Sequence, residues 1–203
     1  MKNCNELSNE DGEILVKTAR KIVTEYLKSR SKINLEQKFE SDFSFNSGIF
    51  VTLNNSMGLR GCVGFALPDK KLSNALADAS ISAATEDPRF PPVKIEELDQ
   101  ITFQVTVLTP PEKIHVLDPI EYVSNIKVGR DGLIVKHGSQ SGLLLPQVPV
   151  ECGWNEEDFL SHACEKAGLP RECWKEKETI IQKFEGIVFK EEAPNGKVVR
   201  EYL

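Results

Sequence analysis

Residues 48–65 read GIFVTLNNSMGLRGCVGF. Two apolar-rich stretches, Gly48 to Leu53 and Leu59 to Phe65, flank Asn54, Asn55, Ser56, Met57 and Gly58, which favour turns, so the segment is expected to form a β-hairpin with a five-residue loop. The period then changes. After Pro68 and Asp69, Leu72, Ala75, Leu76, Ala79 and Ala83 share one face of a helix, and Asp87-Pro88 closes it because proline disfavours helical backbone in the residue before it. A short turn between strands forces them to run in opposite directions, so this stretch makes antiparallel pairing the local rule.

Upstream, Ser8 and Asp11 form a capping-box pattern before Ile14, Leu15, Thr18, Ile22, Val23, Tyr26 and Leu27, the apolar stripe of an amphipathic helix. Downstream, Ile101, Phe103, Val105 and Val107 alternate with Thr102, Gln104 and Thr106, a half-buried strand ended by Thr109, Pro110 and Pro111. A second hairpin is expected from Gly132 to Lys136, a turn over Gly138 to Ser141, and Gly142 to Val148. Asn155 and Asp158 can cap a helix carrying Phe159, Leu160, Ala163, Cys164 and Ala167, stopped by Gly168 and Pro170. Two late strands, Gly186 to Lys190 and Val198 to Tyr202, flank Pro194, Asn195 and Gly196. Hairpin followed by helix thus occurs twice, over residues 48–87 and 132–168, a pattern that suggests internal duplication. The expected fold class is α+β: a mixed, mostly antiparallel sheet with packed helices, one domain over residues 1–203 in two closely associated lobes.

The chain has 203 residues, a net charge of -6 and 40% hydrophobic residues, enough to bury a core without a structural metal. Its acidic balance argues against broad capture of nucleic acid, leaving a small molecule or a protein as the expected partner. No apolar run approaches a membrane span, and the start is polar and acidic, so a cytoplasmic protein is expected. The five cysteines lack a CxxC pair and are expected to be reduced thiols rather than a disulfide framework. His115, His137 and His162 lack zinc-ligand spacing; neither metal nor cofactor is expected.

Chemistry concentrates in Leu59 to Gly64. Regular alternation would put Arg60, Cys62 and Gly64 on one strand face and Leu59, Gly61, Val63 and Phe65 on the other. Arg60 would then neighbour Cys62, and a guanidinium beside a thiol favours the thiolate, while the glycines leave room for another backbone or a ligand. A bulge at either glycine would break that parity and separate the two side chains. A free cysteine also serves as a small buried hydrophobe, so packing is the competing reading. His137, ahead of a hairpin turn, is the first candidate for a base, against the plainer role of an exposed turn residue. Glu86, Asp87 and Arg89 read as a local ion pair or as site groups, and Gln147 as a ligand-binding amide or a partner for buried backbone.

Four segments in order, LRGCVG (59–64), DPRFPPV (87–93), GLLLPQV (142–148) and WNEEDFLSHACEKAGL (154–169), resemble the AMMECR family, named for a human chromosomal region linked to Alport syndrome, intellectual disability, midface hypoplasia and elliptocytosis. The chain is similar to a stand-alone archaeal member, with Val63 where isoleucine is more usual. The resemblance implies an α+β fold of two packed lobes and a functional motif at LRGCVG, without an established reaction. It carries Arg60, Gly61, Cys62, Gly64, Asp87, Arg89 and Gln147 forward as site residues. Association of the family with Memo-like and radical SAM proteins implies a pathway of oxidative or covalent modification. Two functions are therefore expected in competition: thiol-dependent chemistry at Cys62 supported by Arg60, or a non-catalytic binding or adaptor module for such a partner.

Overall fold

The structure, a computed structural model, describes residues 3–201. In chain order its helices are α1 (Asn9–Ser29), α2 (Gln37–Asp42), α3 (Leu72–Thr85), α4 (Glu121–Asn125), α5 (Gln147–Cys152) and α6 (Glu156–Lys166). Its strands are β1 (Gly48–Asn55), β2 (Gly58–Phe65), β3 (Thr102–Leu108), β4 (Glu112–Lys113), β5 (Asp131–His137), β6 (Gln140–Leu144), β7 (Ile180–Glu191) and β8 (Val198–Glu201). The chain is α+β, and the strand pairs that hold the site and its counterpart are antiparallel. Two compact units divide it: one comprises the chain up to Leu108 and again from Ile187, the other Thr109–Gly186.

In the first unit, Ser8 caps α1 through the expected reciprocal bonds with Asp11. Leu15, Val16, Ala19 and Val23 bury the stripe of α1 in one cluster with Leu72, Ala75, Leu76, Ala79 and Ala83 of α3. The same cluster takes the inward residues of the sheet, Ile49, Val51 and Leu53 of β1 and Phe103, Val105 and Val107 of β3. Alanines on α3 let helix and strand backbones approach closely, which gives the small-residue stripe its purpose. Arg20 of α1 crosses to the carboxylate of Glu191 and the carbonyls of Leu98 and Ile101, tying helix and strand ends by charge-assisted hydrogen bonds.

The first hairpin is tighter than its sequence suggests. Asn54 and Asn55 continue the ladder, opposite Leu59 and Gly58, so only Ser56 and Met57 turn the chain. Gly58 sits at φ +109°, backbone that side-chain-bearing residues rarely adopt. This pairing is possible because the register shifts between Leu53↔Gly61 and Asn54↔Leu59, leaving Arg60 as the extra residue of a bulge.

In the second unit, β5 and β6 form the other hairpin, and Leu133, Val135, Phe159, Leu160, Ala163 and Trp174 share its core. The strand expected to reach Val148 ends at Leu144. Pro146 stands at the N-cap of α5, where its fixed φ suits a helix start, and Gln147 opens that helix. The strand expected from Gly186 begins earlier, at Ile180, because Ile181 and Phe184 already bury side chains. Tyr202 lies outside the described residues.

One expectation is overturned: Cys164 and Cys173 form a disulfide, with Cα atoms 6.0 Å apart. The turn after α6 folds the chain back so that both residues meet in the core, a contact that spacing alone does not announce. Cys62 and Cys152 take no part in that bond.

The two hairpins share a local device. A Cβ on Gly61 would lie 2.2 Å from the carbonyl oxygen of Ala83 at the end of α3, and one on Gly142 would lie 2.3 Å from the backbone nitrogen of Ala167 at the end of α6. In each hairpin the second strand thus uses a glycine to seat a later helix, α3 in the first and α6 in the second. The next position of each ladder differs, with Thr52↔Cys62 in the first and Ile134↔Leu143 in the second.

Candidate functional site

The bulge decides the arrangement around Cys62. Arg60 is 9% exposed and spends its guanidinium on Glu97, through Nε at 2.8 Å and Nη2 at 3.1 Å, and on the carbonyl of Pro91 at 2.9 Å. Arg60 also holds the Glu97 carboxyl below its usual pKa. The expected Arg60–Cys62 pairing is therefore replaced by a bidentate clamp on the 95–100 turn, because the extra residue breaks strand parity.

Arg89 takes the place beside the thiol. β2 is an edge strand of its sheet. Its backbone at Cys62 faces outward: the N–H donates to Asp87 Oδ2 at 2.8 Å and the carbonyl accepts from Arg89 Nη2 at 3.3 Å. The Asp87-Pro88-Arg89 segment thus satisfies both edge groups of one residue, much as a neighbouring strand would. Asp87 is 5% exposed and also accepts from the Arg89 backbone, Nε and Nη2. Those hydrogen bonds, from the Arg89 side chain foremost, hold its carboxyl far below the usual carboxylate range against the opposing cost of burial. Arg89 is correspondingly held protonated, by Asp87 first and also by Cys62.

With its backbone groups turned to the edge, Cys62 pairs with Thr52 without mutual backbone bonds, the geometry that brings cross-strand side chains closest. Thr52 Oγ1 donates to Cys62 Sγ at 3.3 Å. Continuing across the sheet, Thr52 stands opposite Gln104, and Phe50 opposite Gly64 on one side and Thr106 on the other. A Cβ on Gly64 would meet the Phe50 ring at 2.6 Å, so the absent side chain is what lets that ring lie over the strand next to Cys62.

The two motif glycines therefore serve packing, Gly61 for α3 and Gly64 for Phe50. Gln147 and His137 belong to the second unit. The Gln147 Oε1 atom is buried without a hydrogen-bond partner among the described residues. His137 Nδ1 lies 3.0 Å from Thr179 Oγ1 and 3.7 Å from Glu176, which makes it a pinned residue at a strand end. Sequence reasoning passed over Thr52, Phe50 and Gln104. Their only signal is the outward half of two alternating strands, which acquires meaning once the register aligns it with Cys62. A cavity of about 380 Å³ between α1 and α2, lined by Ile14, Thr18, Leu35 and Phe39, shares no residue with this cluster. Two lysines at that cavity are engaged with Glu13 and Glu36.

The family model described as AMMECR1 matches residues 16–189. The chain belongs to the AMMECR1 family. A Thermococcus gammatolerans protein is 50% identical over 202 residues, covering 97% of this chain and 98% of that one. A Methanopyrus kandleri protein is 50% identical over 196 residues, covering 95% and 94%. The crystal structure of an uncharacterized Pyrococcus horikoshii protein is similar at 48% identity with a TM-score of 0.86, covering 97% of this chain and 99% of that chain. The AMMECR1 match spans the whole Cys62 cluster, from Phe50 to Thr106. Among the described residues no helix is long and apolar enough to cross a membrane, and no three His, Cys, Asp or Glu side chains are grouped to hold a metal ion.

Proposed function

We propose that this AMMECR1-family protein carries out thiol-dependent modification chemistry in the cytoplasm, with Cys62 as the nucleophile. The observation that carries this reading is the setting of the sulfur: it accepts the Thr52 hydroxyl, while the guanidinium of Arg89 is anchored on the same residue by Asp87. A donor and an anchored cation next to the residue are the kind of surroundings in which a cysteine serves as a nucleophile. The second hairpin supports it further, since Ile134 and Leu143 fill the equivalent pair and the packing design does not itself require a threonine and a cysteine. In the reaction the sulfur lone pair bonds to an electrophilic carbon of the substrate. The displaced π pair moves onto the substrate, and the proton released by the thiol returns to it through solvent, so the adduct balances. Arg89, rather than Arg60, is the supporting cation.

The test is the rate of iodoacetamide alkylation at pH 7, read cysteine by cysteine by peptide mass spectrometry. Cys62 is half-buried and Cys152 exposed. Cys62 is nevertheless expected to react about tenfold faster than Cys152, and Arg89→Gln and Thr52→Val are expected to slow it. Protection of Cys62 until the protein unfolds would remove the nucleophile and leave the binding or adaptor role toward a Memo-like or radical SAM partner as the surviving function.

A further inference from the structure

Resting on the reading of Cys62 as the reacting thiol, we propose that its substrate is a small flat acid whose anionic group is held by Arg89, whose planar body lies along Phe50, and whose distal polar group is recognised by Gln104. Three features of the outer sheet face point to such a ligand. Arg89 is half-exposed, and its Nη1 has no hydrogen-bond partner among the described residues, although Nε and Nη2 are fully committed to Asp87 and Cys62. The guanidinium is thus fixed in direction with one face of donors unspent, which suits a carboxylate or phosphate. Arg60, with all three nitrogens bonded, offers no such face.

The second feature is the row Cys62–Thr52–Gln104, in register across three strands on one face. Gln104 is half-buried, and its amide has no partner among the described residues. An amide can donate or accept, so Gln104 at the far end of this row suits a polar group of a ligand whose anionic end sits at Arg89. The third feature is the Phe50 ring, seated over Gly64 beside Cys62, which offers a flat apolar wall. Two strand spacings separate Cys62 from Gln104, roughly 10 Å, so a ligand that reaches from Arg89 at the sheet edge to Gln104 is at least of that order in length.

The experiment uses the full chain and measures protection of Cys62 from iodoacetamide by 4-hydroxycinnamate, by cinnamate, which lacks the distal hydroxyl, and by 4-hydroxycinnamamide, which lacks the charge. Each variant is referred to its own unliganded rate. In the wild type 4-hydroxycinnamate is expected to half-protect at about tenfold lower concentration than either analogue, the size expected of one charge-assisted hydrogen bond. Gln104→Leu should bring 4-hydroxycinnamate to the level of cinnamate, and Arg89→Gln should bring it to the level of the amide. Equal protection by the acid and the amide, or a Gln104→Leu variant that still distinguishes the hydroxyl, would overturn the proposal. Calorimetric binding of the same three compounds to Cys62→Ser separates the two readings. Acid-selective binding with an unreactive Cys62 sinks the nucleophile alone, whereas a fast Cys62 with no acid selectivity sinks the substrate class alone.

Discussion

The Asp87 carboxylate accepts the backbone N–H of Cys62 at 2.8 Å across 25 residues of chain, and the same carboxylate grips the side chain of Arg89. One acid therefore fixes both the height of the thiol on an edge strand and the direction of the cation beside it. That coupling explains why a charged residue stands almost wholly buried where α3 ends: its negative charge is met by three kinds of donor at once.

Asp87→Asn should loosen this arrangement, with a pH signature. The native carboxyl lies well below its ordinary value of 3.8, held there by Arg89. Its contribution to stability is therefore present in full above about pH 5 and is lost as pH falls through the unfolded value toward the native one. The variant is expected to unfold at lower urea concentration at pH 7, by about 1–3 kcal/mol given that Arg89 remains half in solvent. The gap to the wild type should narrow between pH 5 and pH 2. A gap that stays constant over that range would mean the lost contacts do not depend on charge.

Arg60 is expected to matter for the fold more than for the thiol. Arg60→Lys keeps the charge but cannot make the two parallel bonds to Glu97, and it should cost about 1–2 kcal/mol in urea unfolding. The Cys62 alkylation rate in that variant should stay within about twofold of the wild type, whereas Arg89→Gln slows it. A slower Cys62 in the folded Arg60→Lys variant would restore the pairing that regular alternation suggests.

Much of this architecture is readable from residue order, because helix caps and strand alternation are local. Ser8 with Asp11 and Asn155 with Asp158 cap the helices that their spacing announces. The alternation at Ile101 to Val107 is a strand with its apolar side buried. The LRGCVG segment stands out by composition, yet its internal geometry depends on a single extra residue, and whether Arg60 or Arg89 serves the thiol follows from that bulge. Contacts between distant segments stay hidden. Glu97 lies 37 residues from Arg60, and Gln104 joins the row at Cys62 only through the shared register of three strands. Likewise Cys164 and Cys173 reveal their pairing only when α6 and the turn after it pack together.

That disulfide has a direct count attached. The chain contains five cysteines, of which two are joined in the Cys164–Cys173 disulfide. Denatured protein should titrate three thiols without reductant and five after reduction. Closing a loop of this size is worth roughly 2–3 kcal/mol through the unfolded chain, so Cys164→Ala with Cys173→Ala should lower the urea midpoint by a corresponding amount, with some further loss from the small void. Five thiols in the unreduced protein would show that the bond does not form in solution.

The paired seats for α3 and α6 give the last prediction. Gly61→Ala would drive a methyl against the Ala83 carbonyl, and Gly142→Ala against the backbone around Ala167, at separations that neither helix end can relieve by a side-chain rotation. Each substitution should cost about 1–3 kcal/mol or more, because backbone must shift to admit the added carbon. Gly138→Asn provides the contrast: its φ of +57° suits asparagine and nothing lies within 4 Å of the added atom, so its cost should stay under about 1 kcal/mol. Thermal unfolding of the three variants checks the ranking. If Gly61→Ala proves as mild as Gly138→Asn, the glycine of the LRGCVG segment is not there to seat a helix, and a role in admitting ligand would have to take its place.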